Sequence, residues 1–213
     1  NDRNRSAGDG RPDLAAMDLT ELEAALEGRG HARFHARQIF TWIYAKGVAD
    51  FEKMTDLSRP LRTDLAGHFR IDTPTLVQKE TSSDGTVKFL LELRDGRRVE
   101  SVFIPDTPAQ TFCVSTQVGC AMKCGFCLTG RMGLVRNLSA GEIAAQVRVL
   151  AGELGLRGSK FNVVLMGMGE PLHNYDNTMK ALRMLGDERG FALSPRRVTL
   201  STVGVLPALE RLA

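Results

Sequence analysis

Four cysteines fall within fifteen residues of this 213-residue chain, and three of them form the pattern Cys-x-x-x-Cys-x-x-Cys. These three are Cys120, Cys124 and Cys127, and Cys113 lies upstream of them. Three thiolates can bind three irons of a 4Fe–4S cluster and leave the fourth iron without a protein ligand. An iron with an open position can bind a substrate or cofactor, so the spacing favours a chemical role over a purely structural one.

A structural zinc site is the main alternative interpretation of the same residues. Four thiolates can hold zinc, but the successive spacings of 7, 4 and 3 lack the two Cys-x-x-Cys-type pairs that are typical of such sites. A disulfide framework is less favoured, because the chain is longer than a stapled miniprotein and no apolar secretory segment opens it. A reducing, cytoplasmic compartment is therefore expected.

Two further groups of residues stand where predicted strands end. Gly169 and Glu170 lie in the segment Met166–Pro171, which follows the apolar run Phe161–Met166. Ser201 and Thr202 lie at the end of a later predicted strand. Glycines at a strand end permit close approach of a ligand to the backbone, and Glu170 could accept hydrogen bonds from an ammonium group. Taken alone, the two hydroxyl groups are more simply interpreted as satisfied strand-end groups.

The residue patterns divide the chain into four regions. Residues 1–17 are predicted to be a disordered tail, since the first thirteen are polar and glycine-rich. Residues 18–72 show helical spacing of apolar positions and are predicted to form a helical accessory domain. Residues 73–107 contain three strand-like segments separated by hairpin turn signals, and the predicted strands are Thr75–Thr81, Val87–Leu93 and Arg98–Ile104. A linker is predicted at Pro105–Pro108.

Residues 108–213 repeat strand, loop and helix. The predicted strands are Phe112–Val118, Phe161–Met166 and Val198–Val203, with helices after Ser139 and over Asn177–Leu185. Such alternation predicts right-handed βαβ units and a parallel α/β sheet or barrel. Ligands in this architecture bind beyond the carboxyl ends of the strands, where the cysteines, Glu170 and Ser201 are expected to converge.

Composition sets broad limits on function. A hydrophobic content of 43% and a charged content of 25% are those of an ordinary globular protein, and no apolar run approaches the length of a membrane span. The formal net charge is +3, distributed as −2 over residues 1–110 and +5 over residues 111–213. The basic second half suits a polyanion such as RNA, although ordinary solvated charge explains it equally simply.

Three ordered blocks carry a resemblance to a known family. The cysteine pattern itself resembles that of the S-adenosylmethionine (SAM) radical enzymes. The blocks Phe112–Cys120, Met166–Leu172 and Arg196–Thr202, together with the Gln38–Tyr44 helix, narrow the resemblance to the adenine-C2 methyltransferases of large-subunit ribosomal RNA. That family also methylates transfer RNA. The implied fold is a partial (β/α) barrel of the SAM radical type, with a small helical domain and a β-hairpin region before it.

The resemblance implies two cofactors and their residues. A 4Fe–4S cluster would be held by Cys120, Cys124 and Cys127. SAM would bind at the open iron of the cluster, with contacts from Gly169, Glu170 and Ser201. Phe126, between two of the cluster ligands, is expected either to shield the cluster from water or to make a plain core contact.

The resemblance also implies the course of the reaction. One SAM methylates a cysteine near the C-terminus of the enzyme, a second is cleaved to a radical, and the methyl carbon is then joined to adenine. Cys113 matches the cysteine that helps to resolve the protein–RNA adduct, and Glu100 matches the proton acceptor. Adenine C2 is neither nucleophilic nor acidic enough for polar methyl transfer, which explains the need for radical chemistry.

One departure from the family pattern limits what is expected of this chain. No cysteine follows Cys127, so the methyl-carrying cysteine and the later barrel strands are not among these residues, and the chain is expected to be a fragment that does not turn over alone. Expected partners are ribosomal and transfer RNA and an electron donor such as flavodoxin; no membrane is expected, and the complete enzyme is expected to be a monomer. The alternatives are a C8-methylating relative that confers antibiotic resistance and a non-catalytic zinc module that binds RNA.

Overall fold

The computed structural model of the chain describes residues 9–105 and 109–212. Its helices are α1 (Leu19–Glu27), α2 (Phe34–Tyr44), α3 (Arg59–His68), α4 (Leu128–Met132), α5 (Ala140–Glu153), α6 (Tyr175–Gly186) and α7 (Leu206–Glu210). Its strands are β1 (Thr75–Thr81), β2 (Val87–Glu92), β3 (Arg98–Ile104), β4 (Thr111–Cys113), β5 (Gln117–Gly119), β6 (Leu134–Asn137), β7 (Asn162–Leu165) and β8 (Val198–Leu200). No helix in the described ranges is both long and apolar enough to cross a membrane.

Six of the strands form one mixed sheet in the order β1-β2-β3-β4-β7-β8. The first four pair antiparallel as a meander, and β4, β7 and β8 pair parallel. Within the described residues the sheet is open, with β1 and β8 at its edges. The predicted α/β class with a partial barrel is therefore confirmed, and the parallel part places the carboxyl ends of β4, β7 and β8 at one edge.

The strand predicted over Phe112–Val118 is wrong in one respect, because the chain leaves the sheet in its middle. Pairing with β3 and β7 ends at Cys113, and residues 117–119 pair instead with β6 in a separate two-stranded sheet. At the bend, the Thr116 N–H donates to the Met168 carbonyl (2.8 Å). The break matters for the site, because it brings the cysteine segment across the end of β7.

The two faces of the six-stranded sheet differ in their covering. Phe89, Val99, Phe112, Val163 and Leu165 point to the face on which α5 and α6 pack, and all five side chains are buried in the main hydrophobic cluster. Strand alternation and register put a second set on the opposite face: Glu100, Val102, Cys113, Val164 and Thr199. This second face, hereafter the open face, is less buried than the helix-covered one.

A capping box begins α5 and fixes where the helix starts. The Ser139 hydroxyl accepts from the Glu142 N–H (3.1 Å), and the Glu142 carboxylate accepts from the Ser139 N–H (2.9 Å). Gly141, in the first turn, lies so close to Ala15 and Ala16 that an added Cβ would fall within 3 Å of their atoms. The first turn of α5 is therefore packed against the N-terminal segment of the chain.

That N-terminal segment is ordered where the sequence predicted a disordered tail. Residues 1–8 lie outside the described residues, as do residues 106–108 of the predicted linker. For residues 9–17 the prediction differs from the structure, because Leu14 and Ala15 are buried in a short 3₁₀ turn and the Tyr44 hydroxyl donates to the Ala15 carbonyl (2.7 Å). Apolar burial here outweighs the polar composition of the residues before it.

The helical region and the sheet share one hydrophobic cluster. Buried side chains of α1, α2 and α3 belong to the same cluster as those of the strands and of α5. Arg148 of α5 is buried as well, and its guanidinium donates to the Asp72 carbonyl (3.3 Å) and to the Thr73 hydroxyl (2.7 Å) in the connection between α3 and β1. The domain boundaries at residues 18, 73 and 108 stay a prediction.

Candidate cofactor site at the strand ends

The cysteine loop, residues 120–133, is closed at its base by the pairing of β5 with β6. The Cys120 N–H donates to the Gly133 carbonyl (3.0 Å) where the two strands meet. Gly119, just before the loop, has φ +77°, and a Cβ there would overlap the Gly133 carbonyl oxygen. Only glycine satisfies both conditions, so this residue determines how tightly the two ends of the loop approach.

The three loop cysteines are free thiols with the donor chemistry of an iron–sulfur site. Cys120 is 8% exposed, Cys124 and Cys127 are half-buried, and the Cys127 N–H donates to the Cys124 carbonyl (3.0 Å) in a turn. In the described part of the chain, no three His, Cys, Asp or Glu side chains are arranged so that they could hold a metal ion. The type of the donors and the closed loop fit a cluster.

Phe126 does not pack into the protein, so the structure contradicts a plain core contact. Its side chain is 96% exposed, and neighbouring Leu128 and Met132 are also exposed. The part of the cysteine loop that follows Cys124 therefore presents apolar side chains to solvent.

The loop after β7 packs directly on the segment that precedes the cysteine loop. Gly169 has φ +103°, and a Cβ there would lie 2.6–2.8 Å from atoms of Gln117. The side chain of Gln117 is fully buried, and its Oε1 accepts from the Glu170 N–H (2.9 Å). The glycine was expected to admit a ligand close to its backbone, and in the structure its backbone position is occupied on one side by Gln117.

The carboxylate of Glu170 joins the loops that follow β7 and β8. Glu170 is 3% exposed. Its Oε1 accepts from the Leu172 N–H (2.9 Å) and the Thr202 hydroxyl (2.6 Å), and its Oε2 accepts from the Val203 N–H (3.0 Å). A carboxylate offers about four acceptor positions, so one remains for a further donor such as the ammonium group that the sequence predicts.

Ser201 lies one residue beyond the end of β8 and is exposed. The hydroxyl that reaches Glu170 at this strand end is that of Thr202. The structure therefore brings Glu170 together with the 202–203 segment and, through Gln117, with the start of the cysteine segment. Ser201 stays on the rim beside them, with its role as a SAM contact still a prediction.

Cys113 and Glu100 both belong to the open face. Cys113 lies opposite Val102 in the β3–β4 ladder, and Glu100 precedes Val102 by two residues on the same face. The Glu100 Oε1 is 3.6 Å from the Lys88 Nζ in a largely exposed ion pair. Burial raises the pKa of the Cys113 thiol, and a smaller opposing effect comes from a backbone hydrogen bond with Met166.

Sequence reasoning missed Gln117, Asn137 and Asn174, which complete the polar framework of the site. The Gln117 amide donates to the Asn137 Oδ1 (2.7 Å), and the Asn174 amide donates to the carbonyls of Thr116 (2.8 Å) and Leu138 (2.7 Å). Asn174 and Gln117 are buried. The available signal was the occurrence of polar amides inside otherwise apolar segments, because buried amides must find hydrogen-bond partners.

Two family models match the chain on either side of the hairpin region. The model described as the ribosomal RNA large subunit methyltransferase N-terminal domain matches residues 12–71. The model of the radical SAM superfamily matches residues 114–213, which include the cysteine loop and both strand ends. Fold and site thus define the radical SAM class.

Curated relatives and a solved structure are similar over nearly the whole chain. It is 48% identical over 194 residues to the dual-specificity RNA methyltransferase RlmN of Syntrophobacter fumaroxidans, covering 91% of this chain and 57% of that protein. It is 50% identical over 205 residues to the protein of the same name from Syntrophotalea carbinolica, covering 96% and 54%. The crystal structure of a radical SAM methyltransferase from Sphaerobacter thermophilus matches with a TM-score of 0.88 at 43% identity, covering 94% of this chain and 60% of that one.

The chain belongs to the dual-specificity RNA methyltransferase family of radical SAM proteins, and it spans a little over half the length of the curated relatives it matches.

A first prediction concerns Gly169→Ala. The substitution forces a side chain into a left-handed conformation and against Gln117, so we expect the free energy of unfolding to fall by about 2 kcal/mol or more. Gly125→Ala is the matched control, since no atom lies within 4 Å of its added Cβ. Denaturant unfolding followed by circular dichroism measures both. Equal stability of the two variants would contradict the packing of Gly169 on Gln117.

A second prediction concerns the pH dependence of Cys113. Because burial raises the thiol pKa, the thiolate fraction at neutral pH should be smaller than that of a free cysteine. The rate of alkylation by iodoacetamide, followed by peptide mass spectrometry, should therefore reach half of its plateau at a higher pH than for an exposed cysteine. A synthetic peptide of residues 111–116 is the control. A protein midpoint at or below the peptide midpoint would show that the thiol is not buried.

Proposed function

We propose that this chain forms the cofactor-binding part of an enzyme that methylates C2 of adenine in large-subunit ribosomal RNA and in transfer RNA. The observation that carries the proposal is the union of a three-cysteine loop with the Glu170 strand end through Gln117. The identity to proteins named dual-specificity RNA methyltransferase supports the substrate class.

Cys120, Cys124 and Cys127 would hold a 4Fe–4S cluster, and Gly169, Glu170 and Ser201 would contact SAM. When bound, the reduced cluster and SAM supply the one-electron chemistry that forming a carbon–carbon bond at an unactivated aromatic position requires. Three donors already fix the Glu170 carboxylate, so its remaining acceptor position is preorganised for an ammonium group. The Gly119–Gly133 closure supports the same role for the loop, since it limits where the thiols can move.

Cys113 and Glu100 would act on the RNA from the open face of the sheet. The raised pKa of Cys113 keeps the proton on its sulfur at neutral pH, so the thiol could give that proton during resolution of the protein–RNA adduct. Glu100 presents a carboxylate on the same face and would accept the proton lost from the modified adenine. Their location on one face supports a shared role.

The proposed partners are ribosomal and transfer RNA and a protein electron donor such as flavodoxin, in the cytoplasm, with the complete enzyme a monomer. The net charge of +5 over residues 111–213 supports binding of a polyanion. The exposed apolar side chains of the cysteine loop lie beside the candidate cluster, at a position suited to contact with a partner.

A third prediction tests this function with a chimera. We would replace the matching part of the Syntrophobacter fumaroxidans relative with this chain and keep the rest of that relative. After anaerobic loading with iron and sulfide, reduction and addition of SAM, we expect C2-methyladenine in a ribosomal RNA fragment and in transfer RNA, as measured by mass spectrometry of the nucleosides.

The control is the same chimera with Cys124→Ser, in which we expect loss of both cluster and methylation. A chimera that binds the cluster but leaves both RNAs unmodified would contradict the proposed substrate. Methylation at C8 instead of C2 would contradict the proposed C2 activity and favour the C8-methylating alternative.

A further inference from the structure

A buried polar cluster lies beneath the candidate site, on the helix-covered face. Gln146 of α5 and Ser115, between β4 and β5, are both fully buried. The Gln146 Oε1 accepts from the Ser101 hydroxyl (2.8 Å) and the Ser115 N–H (2.8 Å), and its amide donates to the Ser115 carbonyl (2.8 Å). Both the oxygen and the amide group of Gln146 are thus engaged with the Ser115 backbone.

The hydroxyl of Ser115 extends this cluster to two candidate functional segments. It donates to the Glu100 carbonyl (2.6 Å) and accepts from the Met168 N–H (2.8 Å). The Glu100 N–H in turn donates to the Met168 sulfur (3.4 Å). Ser115 therefore connects the backbone of Glu100, the chain two residues after Cys113 and the loop that carries Gly169 and Glu170.

The side chains of Ser115 and Gln146 make hydrogen bonds where the backbone pairing of β3 with β4 has ended. Pairing of β3 with β4 stops at Val102 and Cys113. Beyond that pair, the backbone of Glu100 and the chain after Cys113 are not paired with each other as strands. A buried carbonyl or N–H left without a partner destabilises the fold. The Ser115 hydroxyl satisfies one such group on each neighbouring segment and so fixes their relative positions.

We infer that Ser115 and Gln146 are positioning residues that hold the Glu100, Cys113 and Gly167–Glu170 segments in one arrangement and thereby set the affinity for SAM. The inference rests on the proposed function, since it assigns SAM to the Glu170 strand end. Neither residue touches the cysteine loop in the described hydrogen bonds, so the cluster and the SAM site respond differently to their loss.

The test compares four reconstituted proteins: the wild-type chain and the three single variants Ser115→Ala, Gln146→Met and Tyr44→Phe. Tyr44→Phe is the control for loss of a buried hydroxyl elsewhere: it removes one hydrogen bond, to the Ala15 carbonyl of the N-terminal segment, whereas Ser115→Ala removes two. Iron and sulfide content reports cluster loading, and the change in the electron paramagnetic resonance spectrum of the reduced cluster on titration with SAM reports binding. Thermal unfolding is measured for all four proteins.

We expect all four proteins to load the cluster equally. Ser115→Ala and Gln146→Met should need about tenfold more SAM than wild type for half of the spectral change, as loss of hydrogen bonds behind ligand-holding groups typically causes. Tyr44→Phe should titrate as wild type does although it too loses a buried hydrogen bond. If either site variant fails to fold, the other still decides the result.

Two outcomes would overturn the inference separately from the proposed function. A wild-type chain that binds SAM, with both variants titrating as it does, would show that Ser115 and Gln146 serve stability alone. A shift that is equal in Tyr44→Phe would attribute the effect to general destabilisation. A loaded wild-type chain whose spectrum does not respond to SAM would overturn the proposed function, and this inference with it.

Discussion

The strand ends of this protein are held together by buried side chains that take over where the backbone ladder stops. The parallel strands β4, β7 and β8 are only three or four residues long, and beyond them the chain bends away. At that point Gln117 binds the Glu170 N–H, and the Glu170 carboxylate binds the segment after β8. Without these bonds, three loops would meet at one rim with buried polar groups that lack hydrogen-bond partners, and this would destabilise the folded state.

This constraint explains why the glycines of the site are glycines. Gly119 allows the base of the cysteine loop to close on Gly133, and Gly169 allows the loop after β7 to lie on Gln117. In both cases the neighbour is the protein itself. Glycine is therefore required at these positions so that the segments of the rim can pack against one another, and this packing determines the shape of the site that a ligand would meet.

Local sequence patterns predicted some elements to the residue and failed on others for a physical reason. The strands Thr75–Thr81 and Arg98–Ile104 were predicted with their observed bounds, because strand-forming residues flanked by Asp-Gly turns carry that information locally. The Phe112–Val118 strand was predicted as continuous, since its aromatic and β-branched residues favour a strand throughout and give no sign of the bend at Val114–Thr116. That bend depends on hydrogen bonds to Met168, more than fifty residues away in the chain.

The same distinction holds within the site. The cysteine loop was recognisable as a candidate from its spacing, and Gly169 and Glu170 from the family resemblance, whereas the partners that fix them were not. Gln117 and Glu170 are separated by 53 residues, and Ser115 and Gln146 by 31. The family resemblance pointed to Ser201 as a contact, and strand alternation alone does not reveal that the Thr202 hydroxyl is the one that binds the buried carboxylate.

The central claim is that three cysteines hold a cluster with one open iron next to a SAM-binding strand end. Mössbauer spectroscopy of the chain, reconstituted with isotopically enriched iron, tests this most directly. We predict a 4Fe–4S spectrum in which one iron site changes its parameters when SAM is added while the other three do not. A spectrum that is unaffected by saturating SAM, or iron bound without sulfide in a single tetrahedral thiolate site, would contradict the claim.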